Sequence, residues 1–135
     1  MGEHLKLAGD WCTVSQTNTE QMLSKIGAPP EVCQAAALAK PVQTISFEGS
    51  SMKVINIAQR TRENTIPLDG SEFSEEVFSK TFVARATVNG DGSVAVTGML
   101  GDMVMTAVRK IDDAGQMVMT ITVDSVESSR VFARK

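Results

Sequence analysis

With 135 residues, 42% of them hydrophobic and 21% charged, the chain has the length and balance of one folded domain around one core. A formal net charge of −3 leaves no basic excess to attract nucleic acid by counterion release and no strong positive field for anionic membranes. No apolar run approaches the ~20 residues that a helix needs to cross a bilayer.

Residues 1–10 lack the apolar stretch and small-residue cleavage site of a secretory signal. Lys6 stands where a myristoylation motif after Met1-Gly2 requires Ser or Thr. The expectation is a cytoplasmic protein. Cys12 and Cys33 suit that compartment as reduced thiols acting as small apolar side chains, a disulfide between them being the alternative.

Residues 7–15 read as a first strand. Asn18 then offers a helix N-cap, with Glu20, Met22, Leu23 and Ile26 following at helical spacing and Gly27 closing the helix. Pro29 and Pro30 open a second helix, Ala-rich residues 31–39 extend it, and Pro41 stops it. The prediction is a helix-turn-helix over residues 18–39.

Beyond Pro41 the pattern changes to strand and turn. Strands are predicted over 42–47, 52–58, 61–66, 72–77, 80–88, 94–100, 103–111, 116–123 and 126–134. Most of the turns between them carry Gly or Asp, most clearly at Asn89-Gly90-Asp91-Gly92. Ten short strands, nine of them in succession, suggest an antiparallel sandwich or barrel. The expected fold is all-β: one domain over residues 1–135, a ten-stranded up-and-down barrel capped by the helix pair. Closure removes free edges, which predicts a monomer. Ten strands leave more room than eight, so an internal cavity is expected.

Period-two alternation indicates what faces that cavity. Met103, Met105, Ala107 and Arg109 share one face, Met117, Met119 and Ile121 another, and Ser128, Arg130 and Phe132 a third. The three apolar neighbours of Arg109 suggest that its face is interior. An enclosed guanidinium keeps its charge and has five donors to satisfy, so it needs an anion, neutral acceptors or ordered water. A lipid carboxylate offers planar, matching acceptors. The alternative is an arginine that faces solvent or pairs with a nearby carboxylate. His4 is the only histidine, and neither a nucleophile–base pair nor a metal motif is evident, so no cofactor and no enzymatic activity are expected. Gly90 and Gly92 fit a hairpin better than a phosphate loop.

Further residues stand in a recognisable order. They are Gly9, Trp11, Asn18, Glu20, Met22 and Leu23, then Lys40-Pro41, then Gly70-Ser71-Glu72-Phe73, then Asp91-Gly92. In these the chain resembles, over residues 7–134, the intracellular fatty-acid-binding protein family, which includes the cellular retinoid carriers. Thr13 and Thr19 depart from its pattern, replacing an apolar residue and an aromatic one.

The resemblance implies that Arg109 and Arg130 hold a ligand carboxylate. Phe132 replaces the tyrosine of the family's Arg-x-Tyr, which removes a donor worth on the order of 1 kcal/mol. Gln43 stands where the family often has a small hydroxyl residue. Its amide offers a substitute, an ordinary strand glutamine being the alternative. Retinol-type carriers usually have glutamine at one or both arginine positions, so two arginines favour an acid over an alcohol. Met22, Leu23, Ala36, Met103, Met105, Met117, Met119, Ile121 and Ser128 are then candidate cavity lining. Arg60 stands where the first portal turn often has an apolar gate residue. Phe78, in the second turn, is either an apolar gate or a packed turn residue. The expected function is non-catalytic binding and transport of a long-chain fatty acid or similar apolar carboxylate, with at most transient membrane contact and no nucleic-acid partner. A retinoic-acid-like carrier and a lipid-converting barrel enzyme are the alternatives.

Overall fold

The computed structural model describes residues 2–58, 60–77 and 80–135. Among them the chain opens with a 3₁₀ turn, Glu3–Leu7, and strand β1, Gly9–Thr17. Helices α1 (Thr19–Ile26) and α2 (Pro30–Leu38) follow. Nine further strands come in succession: β2 Val42–Glu48, β3 Ser51–Ile57, β4 Thr61–Pro67, β5 Phe73–Val77, β6 Lys80–Val88, β7 Val94–Leu100, β8 Met103–Ile111, β9 Met117–Val123 and β10 Val126–Arg134.

All ten strands form one antiparallel sheet in the order β4-β3-β2-β1-β10-β9-β8-β7-β6-β5. Strand β1 pairs with β2 through its first half and with β10 over most of its length, which curls the sheet into a barrel. The barrel is nearly but not fully closed. Strands β4 and β5 come together without a hydrogen-bonded ladder, so the expectation of no free edge is corrected to two edges meeting at a seam. Residues 68–72 between them form a wider connection than a two-residue hairpin, and β5 is the shortest strand, at five residues.

The start of the chain also differs from its sequence pattern. Leu7 ends the 3₁₀ turn instead of opening β1, because its carbonyl accepts a 2.8 Å hydrogen bond from the Trp11 indole Nε1. Both side chains are fully buried. The 3₁₀ turn also rests on the β6–β7 hairpin. A Cβ on Gly92 would stand 2.8 Å from Glu3 Cβ, and its φ of +88° disfavours any other residue there. Asn18 precedes α1 but does not cap it. Its backbone is left-handed, at φ 65°, and its Nδ2 donates to the Glu127 carbonyl at 2.8 Å, fastening the helix start to β10.

Two layers divide the interior. Leu7, Trp11, Ile45, Val94, Met117 and Phe132 are completely or almost completely buried within one apolar cluster. The 3₁₀ turn packs against β2 and β8, while α1 packs against β9 and β10 near the opposite end of β1. Gly98 lies in the wall between Ala84 and Met105. A side chain there would run into the Val83 carbonyl and lie 2.6 Å from Ala84 Cα.

One irregularity decides a side-chain direction. Between Thr13 and Ser15 the β1–β10 register shifts, and Val14 is extruded, half-exposed, as a bulge. After the bulge Gln16 stands opposite Arg130, and its Oε1 accepts a 2.9 Å hydrogen bond from Arg130 Nη2. Gln16 Nε2 donates to the carbonyls of Ala37 and Ala39, each at 2.8 Å. These belong to the unsatisfied last turn of α2, so one amide holds helix and wall together.

Two sets of substitutions check this account. Gly98→Ala is expected to destabilise by at least about 1–3 kcal/mol through overpacking against backbone. Gly90→Ala, where a Cβ meets nothing within 4 Å, is expected to be near neutral. Urea unfolding followed by Trp11 fluorescence measures both. Gln16→Leu strands two carbonyls and a guanidinium N–H. It is expected to cost about 1–3 kcal/mol and to speed amide exchange in α2 relative to β8.

Candidate ligand cavity

Between the apolar layer and the helices lies a cavity of about 310 Å³. Alternation on β8 turns Arg109 inward with Met105 and Ala107, and Arg109 is only 6% exposed. Cross-strand register places Met119 beside Arg109 on one flank and beside Arg130 on the other. Two guanidinium positions therefore stand at one level of the wall with a methionine between them.

Their partners are few. Arg109 Nε donates to Gln43 Oε1 across a long 3.5 Å. Burial pushes the Arg109 pKa down to about 10, against the opposing pull of Glu75, so the group remains protonated at neutral pH. Arg130 reaches Gln16, but its Nε is buried with no hydrogen-bond partner. Burial lowers its pKa as well. Gln43 Nε2 donates to Asn56 Oδ1 at 3.2 Å and lies 3.8 Å from Met119 Sδ, which fixes the Gln43 carbonyl towards Arg109.

The facing wall is also polar. Gln43, Asn56 and Arg62 form one cross-strand row over β2, β3 and β4, with Asn64 two residues beyond Arg62. From β5, across the seam, Glu75 joins the same cavity. Its pKa is raised by burial, while the positive charges of Arg109 and Arg62 act in the opposite direction. Apolar lining comes from Met22 and Leu23 of α1, Ala36 of α2, Val54 of β3, and Met119 and Ile121 of β9.

The structure thus brings Arg109, Arg130, Gln43, Met22, Leu23, Ala36, Met119, Ile121 and Ser128 to one cavity. It places five other sequence candidates elsewhere. Phe132 and Met117 are fully buried in the apolar layer, Met105 belongs to the same cluster, and Met103 packs against it. These four face inward, but at different levels: Phe132 and Met117 meet the filled lower barrel, while Met105 and Met103 lie beyond Arg109 towards the β7–β8 turn, beside Val123 and Leu100. Arg60 is exposed in the β3–β4 turn and does not line the cavity. Phe78 lies outside the described residues.

Sequence reasoning missed Gln16, Asn56, Arg62, Asn64 and Glu75. Most had a usable signal. Asn56 continues the inward row of Met52 and Val54, and Glu75 lies between Phe73 and Val77. Polar residues on alternating strands default to a solvated face, which concealed them. Gln16 had no such signal, because only the bulge turns it towards Arg130.

Among the described residues no group of three or more His, Cys, Asp or Glu has the arrangement of a metal site. No described helix is long and apolar enough to cross a membrane. Cys12 and Cys33 are both free thiols.

No protein-family model matches the chain. Individual proteins do. The chain is 34% identical over 128 residues to mouse fatty acid-binding protein 9, covering 93% of this chain and 95% of that protein. A Schistosoma mansoni fatty acid binding protein, solved in complex with arachidonic acid, superposes with a TM-score of 0.89 at 21% identity, covering 99% of each chain. The fluorescent protein UnaG superposes with a TM-score of 0.88 at 26% identity, covering 100% of each chain. A barrel of this topology is matched along nearly its whole length by a relative of more than 30% identity, and the chain belongs to the fatty acid-binding protein family.

Proposed function

We propose that this barrel is a non-catalytic carrier that encloses one long-chain fatty acid or similar apolar carboxylate, its headgroup held by Arg109 and Arg130 with Gln43. The observation that carries this reading is the pair of arginines on the cavity wall with incompletely satisfied guanidinium donors. A buried cation without acceptors is costly, and a planar carboxylate supplies two acceptor oxygens. The name of the mouse relative points to the same ligand class.

Magnitudes divide the work. Each buried methylene contributes about 0.8 kcal/mol, so a chain of ~14 gains on the order of 11 kcal/mol before ordering costs. A charge-assisted hydrogen bond adds about 1.5–3 kcal/mol. The alkyl chain supplies most of the affinity, and the arginines select the headgroup and orient it. Met22, Leu23, Ala36, Met119 and Ile121 receive the chain in this reading.

The same reading makes the protein a cytosolic monomer without nucleic-acid partners. Free thiols suit a reducing compartment, and the net charge of −3 disfavours polyanions. Catalysis is no part of it. His4 is set edge-on against Phe47, with ring centroids 5.3 Å apart, and is not on the cavity wall.

Displacement of a fluorescent lipid tests the headgroup assignment with a fatty acid, the matching alcohol and the methyl ester. Arg130→Gln is expected to weaken the acid by about 1–3 kcal/mol and the neutral ligands much less. Equal loss for all three ligands, or no loss, would remove the arginine from the headgroup site.

A further inference from the structure

Glu75 is the one carboxylate on the described cavity wall. It shares the inward face of β5 with Phe73 and Val77, and its cross-strand neighbour Phe82 is fully buried. The charged groups that face it are Arg109 from β8 and Arg62 from β4, across the seam. Arg130 lies farther along the wall, bonded to Gln16, and the other polar groups around the cavity, Gln43, Asn56 and Asn64, do not titrate. Among the described residues neither a salt bridge nor a hydrogen bond fixes the Glu75 carboxylate. It acts on both arginines through space and is free to answer a change in the charge of the cavity.

A lipid carboxylate that comes to Arg109 changes that charge in two ways. It places a second negative group in the enclosure served by the same arginine. Its alkyl chain also displaces the solvent that favours the ionised form of Glu75. Two carboxylates confined together hold a proton more tightly than either does alone, and desolvation acts in the same direction.

On the reading that the cavity binds a lipid acid, we propose that Glu75 is a specificity-determining residue that takes up a proton as the acid binds, making carriage by this barrel pH-coupled. The proton comes from solvent and forms an O–H on the Glu75 carboxyl; no bond of the ligand breaks. Protonated, Glu75 becomes a hydrogen-bond donor in place of a repelling charge. Burial already raises the Glu75 pKa against the pull of Arg109 and Arg62, and a bound lipid acid acts in the same direction as burial.

The sign follows from linkage. Binding that takes up a proton weakens as pH rises from the free-protein value of Glu75 to its ligand-bound value, by at most about tenfold per pH unit for one proton. Beyond that upper limit Glu75 stays ionised in both states and contributes no further slope. A neutral lipid desolvates Glu75 but adds no charge, so its coupling is weaker. Affinity for acids over alcohols therefore narrows as pH rises through this window.

Isothermal titration of laurate and of dodecanol, in pairs of buffers with different ionisation enthalpies, reads the proton count directly. Laurate is expected to bind with proton uptake, dodecanol with less, and Glu75→Gln is expected to remove the laurate uptake and flatten its pH dependence. Carbon-13 NMR of the wild-type Glu75 carboxyl gives a readout independent of any variant: addition of laurate is expected to move that resonance towards its protonated value. Laurate binding without uptake, with Glu75 remaining ionised, would overturn this proposal and leave the carrier reading intact. Uptake of the same size with dodecanol, or in Glu75→Gln, would also overturn it, by showing that the cause is desolvation alone or another group. If laurate does not bind at all, the carrier reading fails, and this proposal fails with it.

Discussion

A guanidinium group in a protein interior cannot shed its charge, and that constraint organises the upper half of this barrel. Arg109 is nearly inaccessible and its pKa is depressed by burial, yet it remains a cation. The groups around it act as partial compensation: the Gln43 carbonyl, oriented by its own bond to Asn56, and Glu75 across the seam. Arg130 has an equivalent in Gln16. Neither compensation is complete. A cavity with surplus donors on its wall suits an anionic guest better than a neutral one.

The lower half of the barrel obeys the opposite rule. Leu7, Trp11, Met117 and Phe132 leave no exposed surface, and the indole N–H of Trp11 is satisfied by the Leu7 carbonyl. The Arg134 guanidinium lies over the Trp11 ring, 4.3 Å from its centre, and donates to the carbonyls of Ala8 and Lys6. This packed layer contributes apolar burial to folding, while the layer above it is polar and incompletely filled. Phe132 in place of the family tyrosine accords with that division, because its ring belongs to the packed layer.

Most of the fold was legible because strand boundaries coincide with Gly and Asp turns. Strands β6, β7, β8 and β10 begin and end where alternation and turn residues place them. Alternation also set Arg109 on a face with apolar neighbours and Arg130 on the face of Phe132, while leaving open that one of them faces solvent. Depth was not legible. Period two separates inside from outside but does not distinguish a filled level from a hollow one, so Met103, Met105, Met117 and Phe132 were grouped with residues that line the cavity. Gln16 was hidden for a different reason. A single extruded residue, Val14, reverses the parity of everything after it on β1, and no local pattern marks the bulge. The seam was hidden too, because strand count and turn lengths do not say whether the last pair of edges joins.

That seam makes the barrel a split ring. Every neighbouring pair in the sheet from β4 round to β5 is tied by a ladder, and the two end strands are not tied to each other. Widening a tied pair breaks several backbone hydrogen bonds at once, whereas parting β4 from β5 breaks none. The direction in which the wall is least tied is therefore set by topology, at the seam beside Arg62 and Glu75. Both edges carry residues that resist recruitment of another strand, with Arg62, Glu63 and Pro67 on β4 and Glu75 and Glu76 on β5. The untied seam is thus guarded against closing on a second chain.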